Sequence, residues 1–129
     1  MIEKKVFILS IHKAEVDLLK ENLKRAAEEL NLPIKIDSFT DRPERNLPSC
    51  YDVYFLHLSQ LEDVEEIRRL REKAKGSYIM GLAGATYCLL RLDKNGKLGK
   101  VSLKNWFDYE NLKEVFGGED DKRLFKNSN

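Results

Sequence analysis

The chain has 129 residues and a mass of 15.0 kDa, with 42% hydrophobic and 35% charged residues, which fits one domain with a small packed core and excludes wholesale disorder. Lys and Arg number 23 against 22 Asp and Glu, so a formal charge of +1 supplies no global field for holding a phosphate backbone, and direct nucleic-acid binding by this chain is not expected. The longest apolar runs fall far short of the ~20 residues that cross a bilayer, and the N-terminus lacks a signal-peptide pattern, so no membrane span and a cytoplasmic address are expected.

Residues 6–11 form a continuous apolar run of the length of a strand covered on both faces. Over 14–30, Val16, Leu19, Leu23, Ala26, Ala27 and Leu30 recur at helical spacing with charge on the opposite side, which predicts the first helix. Asn31 and Pro33 end it, and 34–39 alternates apolar with polar as a half-buried strand at or near a sheet edge does. Pro43 and Pro48 among polar residues predict mostly loop over 40–49. A second strongly apolar strand is predicted over 53–58. Ser59 and Glu62 then have capping-box spacing, which opens a helix over 60–75 with Leu61, Val64, Ile67, Leu70 and Ala74 on one face and Gly76 as its stop. A fourth strand follows over 78–83, interrupted by Gly81.

This order of strand, helix, strand, loop, strand, helix and strand is that of parallel strands joined by crossovers. The next interval breaks it. Two apolar runs, 86–92 and 100–103, flank a turn containing Asn95 and Gly96, a two-residue hairpin signal that predicts a β-hairpin in place of a helix. Asp108 is a good N-cap, and Leu112, Val115 and Phe116 predict a last short helix ended by Gly117 and Gly118. The domain is read as 1–118, with 119–129 a frayed polar tail. Cys50 and Cys88 belong to no Cys-x-x-Cys motif and are read as reduced, mostly buried thiols.

Residues 51–58 and 104–116, set in this order of elements, resemble the receiver domains of bacterial response regulators, CheY-like modules, and among them the LytR/AgrA class. The resemblance implies a flavodoxin-like, doubly wound, five-stranded parallel sheet in the order 2-1-3-4-5, with the hairpin replacing the fourth helix and a phosphorylation pocket at the strand carboxyl ends. Ser10 and His57 are 47 positions apart, close to the family interval between its acidic pair and its phosphoacceptor. The matching pocket is degenerate. Ser10 and Ile11 stand where two acidic residues hold Mg²⁺, His57 where the phosphoacceptor aspartate stands, Ala83 at the hydroxyl position and Val101 at the switch aromatic. Lys104 alone is retained, followed by Asn105 where the family usually has proline.

What the resemblance implies is therefore a pseudo-receiver and not an enzyme, without cofactor or metal. It would be a phosphorylation-independent module of two-component signal transduction or transcription regulation that acts through protein contacts, either as a stand-alone adaptor or as part of a longer regulator. Its partner would be another protein or a second copy, with Tyr87, Leu90, Trp106 and Phe107 as candidate anchors on the hairpin and last helix. The same residues serve a core equally well, Trp106 and Phe107 above all. The alternative is a binding module in which Gly81, Gly84 and Lys104 receive a small anion or nucleotide in the former phosphate crevice. His57 is most simply a structural strand-end histidine, since His12 is its only fellow and a metal set would be incomplete. No nucleophile with a partnered base, Walker loop or dinucleotide fingerprint is present.

Overall fold

The computed structural model describes residues 3–42, 46–60, 64–92, 95 and 97–116. Four strands, β1 (Lys4–Leu9), β2 (Ile34–Phe39), β3 (Val53–His57) and β4 (Tyr78–Ala83), pair in parallel in the order β2-β1-β3-β4. The two uninterrupted apolar runs become the adjacent central strands, where Val6, Phe7, Ile8 and Leu9 face Val53, Tyr54, Phe55 and Leu56, all buried. The alternating segment becomes the edge strand β2, half-buried along its length.

The connections cover both faces. Helix α1 (Lys13–Glu29) joins β1 to β2 and buries Val16, Leu19, Leu23, Ala26 and Ala27 against Val6, Ile8, Val53 and Phe55. Helix α2 (Val64–Lys73) joins β3 to β4 and buries Ile67 and Leu70 against Phe7, Leu9, Tyr54 and Leu56 on the other face. Because the chain leaves β1 toward one edge and β3 toward the other, crossovers of one hand place the two helices on opposite faces.

The second half departs from the expected sheet. Strand β5 (Thr86–Leu92) turns back antiparallel beside β4, and β6 (Leu98–Asn105) returns antiparallel beside β5, giving six strands in the order β2-β1-β3-β4-β5-β6. The fold is thus mixed α/β with a mainly parallel sheet, and no fifth parallel strand lies against β4. The hairpin over 86–103 is present and extends the sheet itself, with the pairing irregular between Tyr87 and Leu89. Of its turn, residues 93, 94 and 96 lie outside the described residues. A second tight turn, Gly84 and Ala85, joins β4 to β5, with Gly84 at φ +59° in the left-handed region that glycine tolerates.

Helix α3 (Tyr109–Phe116) closes the α1 face with Leu112, Val115 and Phe116, and Asp108 Oδ1 accepts the Glu110 N–H at 3.0 Å as the expected cap. Leu58–Gln60 form a 3-10 turn and the Ser59 hydroxyl lies against His57 Nδ1, while the capping-box partner Glu62 falls among 61–63, outside the described residues, before α2. Glu62, Gly117, Gly118 and the expected tail over 119–129 lie outside the described residues. Cys88 is buried as expected, whereas Cys50 is exposed. No helix among the described residues is long and apolar enough to cross a membrane.

Candidate functional site

Parallel strands deliver their carboxyl ends to one side, and β1 and β3 are the pair at which strand order reverses, where open α/β sheets form a crevice. Ser10, at the end of β1, is 1% exposed; its N–H is bonded to the Phe39 carbonyl at 3.1 Å, and its Oγ accepts the His12 N–H at 3.2 Å. This bend releases the chain from the strand and leaves Ile11 53% exposed before α1 begins. His12 occupies the N-cap of α1 without a side-chain cap bond, and its ring meets the His57 ring edge-on with centroids 5.1 Å apart.

His57 ends β3. Ser59 Oγ lies 2.6 Å from its Nδ1, and the Ser59 backbone N–H donates to that same nitrogen at 3.2 Å. These two contacts hold the ring by its Nδ1 edge. Burial and the adjacent His12 push the His57 pKa below its ordinary value, against a smaller upward pull from Glu15, which favours the neutral ring. Beside this pair, Ser10, Glu15, Val16, Leu19, Leu82, Gly84 and Trp106 leave a crevice of about 10 Å³, room for one water. Among the described residues no cluster of three or more His, Cys, Asp or Glu is placed to hold a metal ion.

The structure brings Ser10, Ile11 and His57 to this side but separates the remaining sequence-predicted residues from them. His57 pairs with Leu82, Leu82 with Tyr87 and Tyr87 with Lys104, so Lys104 lies in the same row across the sheet but three strands away. At a spacing of ~4.8 Å per strand the separation is about 14 Å. Its ammonium is paired with Glu114 of α3. Ala83 is exposed, and its carbonyl accepts the Thr86 hydroxyl at 2.8 Å. The proposed anion set is likewise dispersed. Gly81 is buried on the α2 face, where an added Cβ would stand 2.8 Å from Leu58 Cδ2, and Gly84 sits in the β4–β5 turn.

Three of the four candidate interface residues are core. Tyr87 and Leu90 are 2% and 0% exposed, the Tyr87 hydroxyl donates to the Asn111 carbonyl at 3.0 Å, and its burial pushes the phenol pKa upward. Trp106 is buried, and its Nε1–H donates to the Gly84 carbonyl at 2.8 Å, so it closes the β4–β5 turn. Phe107 differs. It is 48% exposed, stacked on Trp106 at 4.2 Å and 28°, with its N–H on Asn105 Oδ1 at 2.8 Å and its carbonyl receiving an Asn22 amide proton at 3.3 Å.

Sequence reasoning missed the roles of Ser59, Asn22 and Arg42. The i, i+2 spacing of His57 and Ser59 is a local signal for the first, whereas Asn22 and Arg42 act through long-range contacts that no local pattern encodes. Arg42 grips both carboxylate oxygens of Glu66 and donates to the Gln60 carbonyl at 2.6 Å, tying the β2–β3 connection to α2.

No family model and no curated protein matches this sequence. Among solved structures, the lactose-specific IIB component domain of the phosphoenolpyruvate:carbohydrate phosphotransferase system from Streptococcus pneumoniae is similar, with a TM-score of 0.50 and 18% identity over 64% of this chain and 79% of that one. The likeness concerns the α/β fold alone.

Proposed function

We propose that this chain is a phosphorylation-independent, receiver-like signalling or regulatory module that acts through protein contact, its partner being a second copy of itself. The observation that carries the reading is Phe107, an aromatic ring half-exposed yet held by a stack and two backbone hydrogen bonds. A ring fixed before contact offers large apolar area at little ordering cost, the property of interface anchors. Leu18, one turn before Asn22 on α1, is also exposed. The near-zero net charge sets no long-range repulsion between copies, and a two-fold pair would bring like anchors together.

Independence from phosphorylation is supported by the strand-end residues. Ser10 and Ile11 bring no carboxylate for Mg²⁺, the His57 imidazole cannot form the acyl phosphate that a carboxylate forms, and Lys104 is engaged by Glu114. A small-anion reading of the same crevice loses its cation for that last reason and has room for about one water.

Sedimentation at roughly ten times a micromolar Kd, a range in which weak homodimers populate, is expected to give twice 15.0 kDa. The Phe107→Ser protein should sediment as one chain with an unchanged circular dichroism spectrum. A single-chain mass for the parent removes the self-contact. Beryllofluoride with Mg²⁺ should leave the amide spectrum unchanged at Ser10, His57 and Ala83, and saturable shifts there remove phosphorylation independence.

A further inference from the structure

We propose that the crevice between the β2–β3 connection and α2 is an oxyanion site that takes the phosphate group of a small phosphorylated ligand, independently of the strand-end crevice. Its walls are Asn46 and Leu47 from the connection and Glu66, Arg69, Leu70 and Lys73 from α2, around about 20 Å³ of open room. Arg69 and Lys73 are one helical turn apart and so share a face of α2. Neither makes a hydrogen bond or ion pair among the described residues, in contrast to their neighbours Arg68, paired with Glu65, and Arg71, donating to the Ser77 and Leu90 carbonyls.

The acid in the wall does not oppose an anion. Glu66 is gripped at both oxygens by Arg42, which leaves the crevice with two uncommitted positive charges and the Asn46 amide. The same arginine also donates to the Gln60 carbonyl, so its charge is committed on both sides and does not enter the crevice. A guanidinium fork, an ammonium and an amide lining one opening suit the terminal oxygens of a phosphate. The cavity itself holds about one or two waters, so the phosphate would sit at its mouth against Arg69 and Lys73, with the body of the ligand in solvent.

The test is an amide and side-chain NMR titration of the full chain at fixed ionic strength, with inorganic phosphate, glycerol 3-phosphate and chloride in separate arms. Saturable shifts at Asn46, Arg69 and Lys73 with either phosphate arm and none with chloride are expected. Tighter saturation by glycerol 3-phosphate assigns a phosphomonoester, and equal saturation assigns free phosphate. Arg69→Ala should weaken binding about tenfold, whereas Lys24→Ala, on the exposed side of α1, should not change it. Shifts that chloride reproduces, that rise linearly, or that survive Arg69→Ala overturn the site.

Discussion

Strands β1 to β4 end on one side of the sheet, whereas β5 runs back against them and β6 forward again. In the parallel half, succession along the chain becomes proximity in space, and Ser10 and His12 gather with His57, which comes from a distant segment. In the antiparallel half β5 stands between β4 and β6. Lys104 lies at the same end of the sheet and in the same row as His57, yet Tyr87 and Leu82 stand between them. A strand's direction and its position are separate quantities, and a pocket needs both.

The largest expected effect lies in the antiparallel half. Trp106→Ala removes a buried indole, its stack on Phe107 and its bond to the Gly84 carbonyl, and should cost about 4 kcal/mol in urea unfolding. A loss near 1 kcal/mol, the size of a single net hydrogen bond, would show that this indole does not lock the hairpin half.

In the parallel half the comparable element is polar. Arg42→Ala removes the guanidinium that grips the buried Glu66 carboxylate and should cost about 3 kcal/mol, while replacing both partners, Arg42→Met with Glu66→Leu, should recover most of it. Equal losses for the single and double variants would mean that Arg42 contributes through packing instead of charge.

Gly84→Ala, at φ +59°, should cost about 1 to 2 kcal/mol, since only backbone strain and no contact is at stake. Chemical denaturation reads it directly, and a neutral result would place the β4–β5 turn among conformations open to any residue.

The smallest effect is a slope. The His57 pKa in the folded chain is depressed below its ordinary 6.5, first by burial and then by His12. The unfolded chain therefore takes the proton first. The stability from a neutral His57 is complete above pH 6.5 and drains as pH falls toward the folded value. His57→Gln should flatten the stability profile in that acid window, and an unchanged slope would assign it to other groups.

Much of the parallel half was legible because its signals are local. Residues 34–39 and 78–83 form strands with the predicted bounds, and α1 lies within a residue of its predicted start and end. The hairpin was legible from its apolar runs; the expected two-residue turn at Asn95 and Gly96 falls in a five-residue connection, 93–97, of which 93, 94 and 96 lie outside the described residues. The pairing of β5 with β4 was not foreseen, although Gly84 at the first position of a two-residue connection is a recognised hairpin signal. Ser59 carries two local signals at once: it stands two residues from the His57 imidazole, which its hydroxyl meets at 2.6 Å, and three before Glu62, which lies outside the described residues. Burial of Tyr87, Leu90 and Trp106 and the isolation of Lys104 are set by which strands become neighbours, a property of the assembled sheet that no short window contains.

Asn22 donates to the carbonyls of Trp106 and Phe107, 84 and 85 positions away, and α3 packs on the same helix. During synthesis at ~5–20 residues per second, roughly 4 to 17 s pass between the emergence of α1 and that of the segment that covers it. Throughout that interval the stripe of Val16, Leu19 and Leu23 lacks part of its final cover from Leu112, Val115 and Phe116, which makes the nascent chain, more than the finished one, the form most exposed to misassociation.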